Sequence, residues 1–212
     1  TGSSRLKSAA GAGLPVGRRA GMSVTDFGKL VLLIGDFHTP SRKADIPSCF
    51  KELLNTDKIG MVICTGNVGS KAVIEKLRNI AGEDCKIVAG DGDIGLELPE
   101  TSVTYVGEFK VGVIHGHQII PWGDQAALAK CAGRLGVDIL VTGHTHRNSI
   151  VDMGGKFIVN PGSVTGACSA LGEFDITPSF MLMAVQGSSV TLYTYENNNG
   201  ETKVSMKELK KP

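Results

Sequence analysis

Short apolar runs of four or five residues recur through the first two thirds of the chain. Residues 30–34, 61–64, 86–89, 111–114 and 138–142 are mostly Leu, Ile and Val. Each is too short for a helix and has the β-branched character of a strand covered on both faces. Between several of them the apolar period lengthens to three or four. Residues 47–54 place Phe50, Leu53 and Leu54 on one helical face, and residues 71–80 do the same with Val73, Ile74, Leu77 and Ile80. A third helix is predicted over 124–135, stopped by Gly136.

The pattern changes after residue 147. Segments 150–153, 156–159, 179–185 and 190–195 read as strands, with turns at Gly154-Gly155 and Gly187-Ser188. Asn197 to Gly200 reads as a loop, and the basic stretch 207–211 as a solvated tail. Alternating strands and helices followed by hairpins predict an α/β fold of two packed sheets with helices outside. Residues 1–21, rich in Gly, Ala and Ser, read as a disordered tail or an expression remnant. Met22 is then the expected native start, and 22–212 the domain.

Composition narrows the function classes. The formal net charge is +1, and no basic stripe with interleaved aromatics is visible, which argues against nucleic-acid binding. No apolar run approaches the ~20 residues of a membrane span, so the expected membrane association is indirect. The five cysteines are odd in number and include no C-x-x-C pair. That favours a reducing, cytoplasmic setting over a disulfide framework or a thiolate zinc site.

The chemistry is expected at the strand ends. Asp36 and His38 follow the first run, Asn67 the second, Asp91 the third, His115 and His117 the fourth, and His144 and His146 the fifth. A glycine precedes the first polar residue in four of the five cases, where it permits a sharp turn and a close approach. Sites in open α/β sheets form outside the carboxyl ends of strands. The i, i+2 spacing of Asp36/His38 and His144/His146 aims each pair one way if the backbone stays extended. Mixed nitrogen and oxygen donors suit manganese, iron or zinc.

Gly35-Asp36-Phe37-His38, Gly66-Asn67, Gly90-Asp91-Gly92-Asp93, His115-Gly116-His117 and Gly143-His144-Thr145-His146 resemble, in order, the motif set of calcineurin-like metallophosphoesterases. The resemblance covers residues 29 to about 210. It implies a four-layer αββα sandwich with a two-metal site at one end. One metal would take Asp36, His38 and His146, and the other Asp91, His115 and His144. Asn67 would bridge them, and His117 would stand behind the ligands. The implied cofactor is one or two weakly bound divalent ions, manganese or zinc. The family's bridging position normally holds Asp. Neutral Asn67 offers one weakly donating oxygen, so metal affinity and water activation should both fall. Gly92 stands where an enzyme often has a His that assists the leaving group, and it cannot supply that help.

The segment His115-Gly116-His117-Gln118-Ile119-Ile120-Pro121-Trp122-Gly123-Asp124 is similar to the metallophosphoesterase-like subunits of retromer, the vacuolar-protein-sorting coat of endosomes. So is Asn160-Pro161-Gly162-Ser163-Val164-Thr165-Gly166-Ala167. This resemblance implies a non-catalytic scaffold in endosome-to-Golgi retrograde transport, cytoplasmic and peripheral on the endosome membrane. Its metal-site end would dock on a large α-solenoid subunit through Ile119 and Ile120, with Trp122 capping the domain's own core. A second apolar patch of Leu30, Leu53, Leu182, Tyr193 and Tyr195 would receive regulatory proteins, or else be ordinary sheet packing. The competing expectation is a manganese-dependent phosphodiesterase or phosphatase that uses both metals.

Overall fold

The computed structural model describes residues 30–172 and 175–211. The expected tail at 1–21 lies outside them. One sheet runs β11-β10-β9-β1-β2-β3, and the other runs β4-β5-β6-β8-β7. In the first, β1 (Leu30–Ile34), β2 (Ile59–Cys64) and β3 (Cys85–Ile87) are parallel. They continue into the antiparallel β9 (Ser179–Gln186), β10 (Ser189–Asn198) and β11 (Glu201–Lys210). In the second, β5 (Phe109–Ile114), β6 (Ile139–Val141) and β8 (Phe157–Asn160) are parallel. Antiparallel β4 (Thr101–Val106) and β7 (Ser149–Asp152) flank them.

The continuous apolar strands are explained by alternation across two cores. Val31 and Leu33 of β1 point between the sheets, into a core shared with Val111, Val113, Val141 and Val159. Leu32 and Ile34 point outward against helices α1 (Ser48–Leu54) and α2 (Lys71–Ala81), which contribute Phe50, Val73, Ile74 and Leu77. On the other side, α3 (Gln125–Leu135) packs Leu128, Cys131 and Ala132 on Ile114, Leu140 and Ile158. A strand between two apolar layers needs no polar phase, so its sequence is apolar throughout. The result is the four-layer α/β/β/α arrangement expected from the sequence. Helix α3 begins where its cap demands: Asp124 accepts a hydrogen bond from the Ala127 amide at 2.6 Å. It ends at Gly136 in the left-handed conformation.

Two expectations fail at the periphery. The stretch 207–211 is not a solvated tail. Residues up to Lys210 belong to β11, which pairs with β10 from Ser189↔Lys210 to Asn198↔Glu201. The loop expected at 197–200 shrinks to a turn at Asn199-Gly200, because Asn197 and Asn198 extend β10. Strand β4 was not anticipated at all.

The end of the chain clamps the two sheets together. Lys207 donates to the Ile150 carbonyl at 2.7 Å, and Lys211 donates to Asp138 at 2.9 Å. The Lys110 amide also donates to Asp138, at 2.9 Å. Burial raises the Asp138 carboxyl, but the Lys110 N–H and the Lys211 ammonium outweigh it and hold the group below its ordinary range. Asp138→Ala is expected to lower stability by about 1 kcal/mol at neutral pH, a value discounted for partial exposure. A depressed folded-state carboxyl stabilises above its unfolded pKa and stops doing so as pH falls through the folded one. The urea midpoints of wild type and variant should therefore converge in acid. A gap unchanged between neutral and strongly acidic pH counts against this ion pair.

Candidate metal centre

All the parallel strands of both sheets deliver their carboxyl ends to one side of the sandwich. There Asp36, His38 and His146 place one donor atom each within 4.8 Å of one another. Asp91, His115 and His144 form a second such group. These are the two triads expected from the sequence. They sit side by side, with Asp36 Oδ1 3.9 Å from the His115 ring.

The chain reaches this geometry by a different route from the one expected. Asp36, His38, Asn67, His144 and His146 all have φ between 47° and 69°. The backbone is left-handed at both members of each i, i+2 pair, not extended. Asn199 is the one other non-glycine residue of this kind among the described residues. Each left-handed L-residue costs roughly 1–2 kcal/mol, so the fold concentrates strain at this pocket. The preceding glycines serve close packing more than turning. A Cβ on Gly143 would lie 2.7 Å from Asp36 Oδ2. Only Gly66 of the four carries the positive φ itself, at 95°.

A loop after β8 supports the first triad. Ser163 donates to the Asp36 carbonyl at 2.7 Å, and Thr165 donates to the Phe37 carbonyl at 2.9 Å. The Ala167 carbonyl faces His146 Nδ1 at 2.7 Å. Across the pocket the Thr65 carbonyl faces His115 Nδ1 at the same distance. Each carbonyl requires an N–H on Nδ1, which leaves the Nε2 lone pair turned into the pocket, as in metal-ligating histidines. From the sequence, the 160–167 stretch stands out only by its resemblance. Its buried hydroxyls were the available signal that it shapes the site.

The donor set fits a cation. His38 Nε2 and His146 Nε2 lie 3.1 Å apart. Asp36 Oδ1 is 3.6 Å from His146 Nε2, is fully buried, and has no hydrogen-bond partner among the described residues. Burial, with help from Arg42 and the neighbouring imidazoles, pushes His38 down to about 3, so it is a neutral nitrogen donor at physiological pH. In the second triad Asp91 Oδ1 lies 3.0 Å from His115 Nε2 and 3.5 Å from His144 Nδ1. The adjoining His115 and His144 rings, together with the Asn67 amide, hold the Asp91 carboxyl far below its ordinary range, so it stays ionised. A buried carboxylate without a partner beside the Nε2 lone pair of His146 is stabilised by a positive ion.

A model of the calcineurin-like phosphoesterase superfamily domain matches residues 30–188. Vacuolar protein sorting-associated protein 29 of Schizosaccharomyces pombe is 40% identical over 186 residues, covering 86% of this chain and 99% of its own. The chain belongs to the Vps29 family of calcineurin-like phosphoesterases. The Vps29 structure from Cryptosporidium parvum is 49% identical and superposes with a TM-score of 0.82, over 88% of this chain and 100% of that one. Wild-type Vps29 of Entamoeba histolytica, solved in complex with zinc, is 47% identical with a TM-score of 0.79, over 84% and 98% of the two chains.

Against that family frame, Asn67 and Gly92 meet directly. The Gly92 amide donates to Asn67 Oδ1 at 2.8 Å. The Asn67 amide nitrogen points at Asp91 Oδ1, 2.9 Å away, and at His115 Nε2, 3.0 Å away. Asn67 is in the pocket as expected, but it presents a donor there and not the bridging oxygen. Asp93, unassigned from the sequence, is buried below this contact. Its carboxylate accepts from the backbone amides of Asn67 at 2.6 Å, Gly90 at 2.9 Å and Gly69 at 3.1 Å. His117 lies outside both triads, its ring 5.3 Å from that of His115.

The loops leaving the Vps29-family pocket carry exposed apolar side chains. Ile94 is 93%, Ile120 80%, Leu171 48% and Trp122 40% exposed. Trp122 does not cap the domain core. Its indole meets the edge of His144 at 4.6 Å, and its Nε1–H donates to the His117 carbonyl at 3.2 Å. Ile119 packs partly into the α3 core, so Ile120 is the freer member of that pair. At the second expected patch, Leu182 and Tyr195 are buried, with the Tyr195 ring stacked on Phe180 at 4.8 Å. Leu30, Leu53 and Tyr193 remain half-buried on that face, and Met206 lies exposed opposite Tyr193 in the β10–β11 pair.

Proposed function

We propose that the chain is a non-catalytic scaffold subunit of retromer. Its pocket end docks on the large α-solenoid subunit for retrograde transport from endosome to Golgi. The observation that carries this reading is the pairing of an Asn67 amide, turned toward Asp91 and His115, with exposed apolar side chains on the loops leaving the pocket. A phosphoesterase needs an open, highly charged entrance for an anionic substrate. A rim of Ile94, Ile120, Trp122 and Leu171 instead resembles the apolar core of an interface. The membership of a family whose relatives carry vacuolar protein sorting names supports the same reading.

In this role the cation ligated by Asp36, His38 and His146, and any second one at Asp91, His115 and His144, would hold the left-handed loops in place. His117 would lie behind the ligands. The half-buried face of Leu30, Leu53 and Tyr193, backed by Leu182 and Tyr195, would receive regulatory proteins. Among the described residues no helix is long and apolar enough to cross a membrane. A cytoplasmic location, peripheral on endosomes through the partner, follows from the same proposal.

The two intact triads favour a second reading, a manganese-dependent phosphodiesterase. One experiment separates them. The chain should capture the C-terminal half of the large retromer subunit. With manganese it should hydrolyse a nitrophenyl phosphodiester no faster than His115→Ala does. Turnover well above that of His115→Ala, without capture of the solenoid, reverses the assignment.

A further inference from the structure

The two triads are chemically unequal. At Asp36–His38–His146 the buried Asp36 Oδ1 has no hydrogen-bond partner among the described residues and lies 3.6 Å from His146 Nε2. At Asp91–His115–His144 the counterpart is already supplied by the chain. The Asn67 amide nitrogen lies 2.9 Å from Asp91 Oδ1 and 3.0 Å from His115 Nε2, where it offers positive hydrogens to both. We infer that the Asn67 amide stands in for the second cation, so that this chain takes one divalent transition-metal ion at Asp36–His38–His146 far more tightly than a second at Asp91–His115–His144.

The amide cannot simply turn over. Its oxygen is fixed by the Gly92 N–H at 2.8 Å, and this bond also identifies which amide atom is oxygen. Its backbone is held by Asp93 at 2.6 Å and is left-handed, with φ 52°. Presenting Oδ1 to a second ion breaks the bonds to Asp91 and His115 and turns the NH₂ group toward the Gly92 N–H. The burial of the two carboxylates differs in the same direction. The Asp36 side chain is fully enclosed, whereas that of Asp91 is 42% exposed and already hydrated in part. Once the first site is filled, a second dication is repelled across the pocket, and the neutral bridge does nothing to offset that repulsion. Losing the hydrogen bonds to charged partners corresponds to roughly tenfold or more in affinity.

This inference rests on reading the pocket as a cation site, and the test keeps the two apart. Metal-free protein is titrated with zinc, following bound equivalents by calorimetry and Trp122 emission in parallel. Trp122 is the only Trp and touches His144, so its emission reports the second triad. The expected result is one equivalent bound without an emission change. A second, about tenfold or more weaker, should then change the emission. His38→Ala should remove the tight equivalent, and Asp91→Ala the weak one together with the emission change. Asn67→Asp, which trades the amide for an anionic oxygen, should bring the two affinities together. Two wild-type equivalents of equal affinity overturn the inference while leaving the cation site standing. So does an emission change that comes with the first equivalent. No bound zinc at all overturns both.

Discussion

Ile120→Asp is expected to abolish capture of the α-solenoid subunit, weakening it at least about a hundredfold, while the free protein melts as wild type does. The two halves of that expectation have separate causes. Ile120 is 80% exposed in the isolated chain, so its replacement removes almost no buried contact. Surface substitutions of this kind usually change stability by less than about 0.5 kcal/mol. In a docked complex the same side chain sits amid the apolar rim of Ile94, Trp122 and Leu171 and loses its water. A carboxylate forced into that position is a desolvated charge without a partner, which costs about 3–5 kcal/mol. Ile119→Asp should behave differently. That side chain packs partly on the α3 core, so its replacement should lower the melting temperature as well as binding. Solution affinity measurements alongside thermal unfolding distinguish the two. Retention of wild-type affinity by folded Ile120→Asp removes the rim from the interface.

Much of this arrangement is legible in the sequence because the parallel strands sit between two apolar layers. Leu30–Ile34 must be apolar on both phases, and a continuous run this short fits a covered strand better than a helix. The first polar residues beyond such strands fall at one end of the sheets, so a convergent site follows from position, while its division into two triads follows from the family resemblance. The edges are illegible for the opposite reason. In β11 the sequence Glu-Thr-Lys-Val-Ser-Met-Lys-Glu-Leu-Lys has few residues that need a core, and only Leu209 is buried. The strand exists through its full-length pairing with β10. In β4 the residues alternate between exposed and half-buried, which gives a weak pattern.

The pocket divides the same way. Asp and His announce themselves by type, but the direction of the Asn67 amide depends on Gly92, Asp91 and His115 meeting from separate loops. The left-handed backbone at Asp36, His38, His144 and His146 is equally invisible in residue type. It is imposed by partners such as Ser163, 127 residues away from Asp36 in the chain.

Asp93→Ala should therefore be among the most damaging single changes, lowering stability by about 3 kcal/mol. The buried carboxylate is a shared acceptor for the amides of Asn67, Gly69 and Gly90. Alanine leaves three N–H groups without it, and each hydrogen bond to a charged acceptor contributes about 1.5–3 kcal/mol, not additively. Asp93→Asn keeps an uncharged acceptor and should lose roughly half as much. The damage should also be directional. Asp93 orients Asn67 and the loop bearing Asp91, whereas Asp36 and the adjacent Phe37 are held by Ser163 and Thr165 and His146 by the Ala167 carbonyl. Below its lowered melting temperature the variant should still bind one zinc at the first triad and lose the weaker second. Urea unfolding and zinc calorimetry on the same preparation read both effects. A loss under about 1 kcal/mol, or disappearance of the tight zinc from folded protein, contradicts this division of labour between the two sides of the pocket.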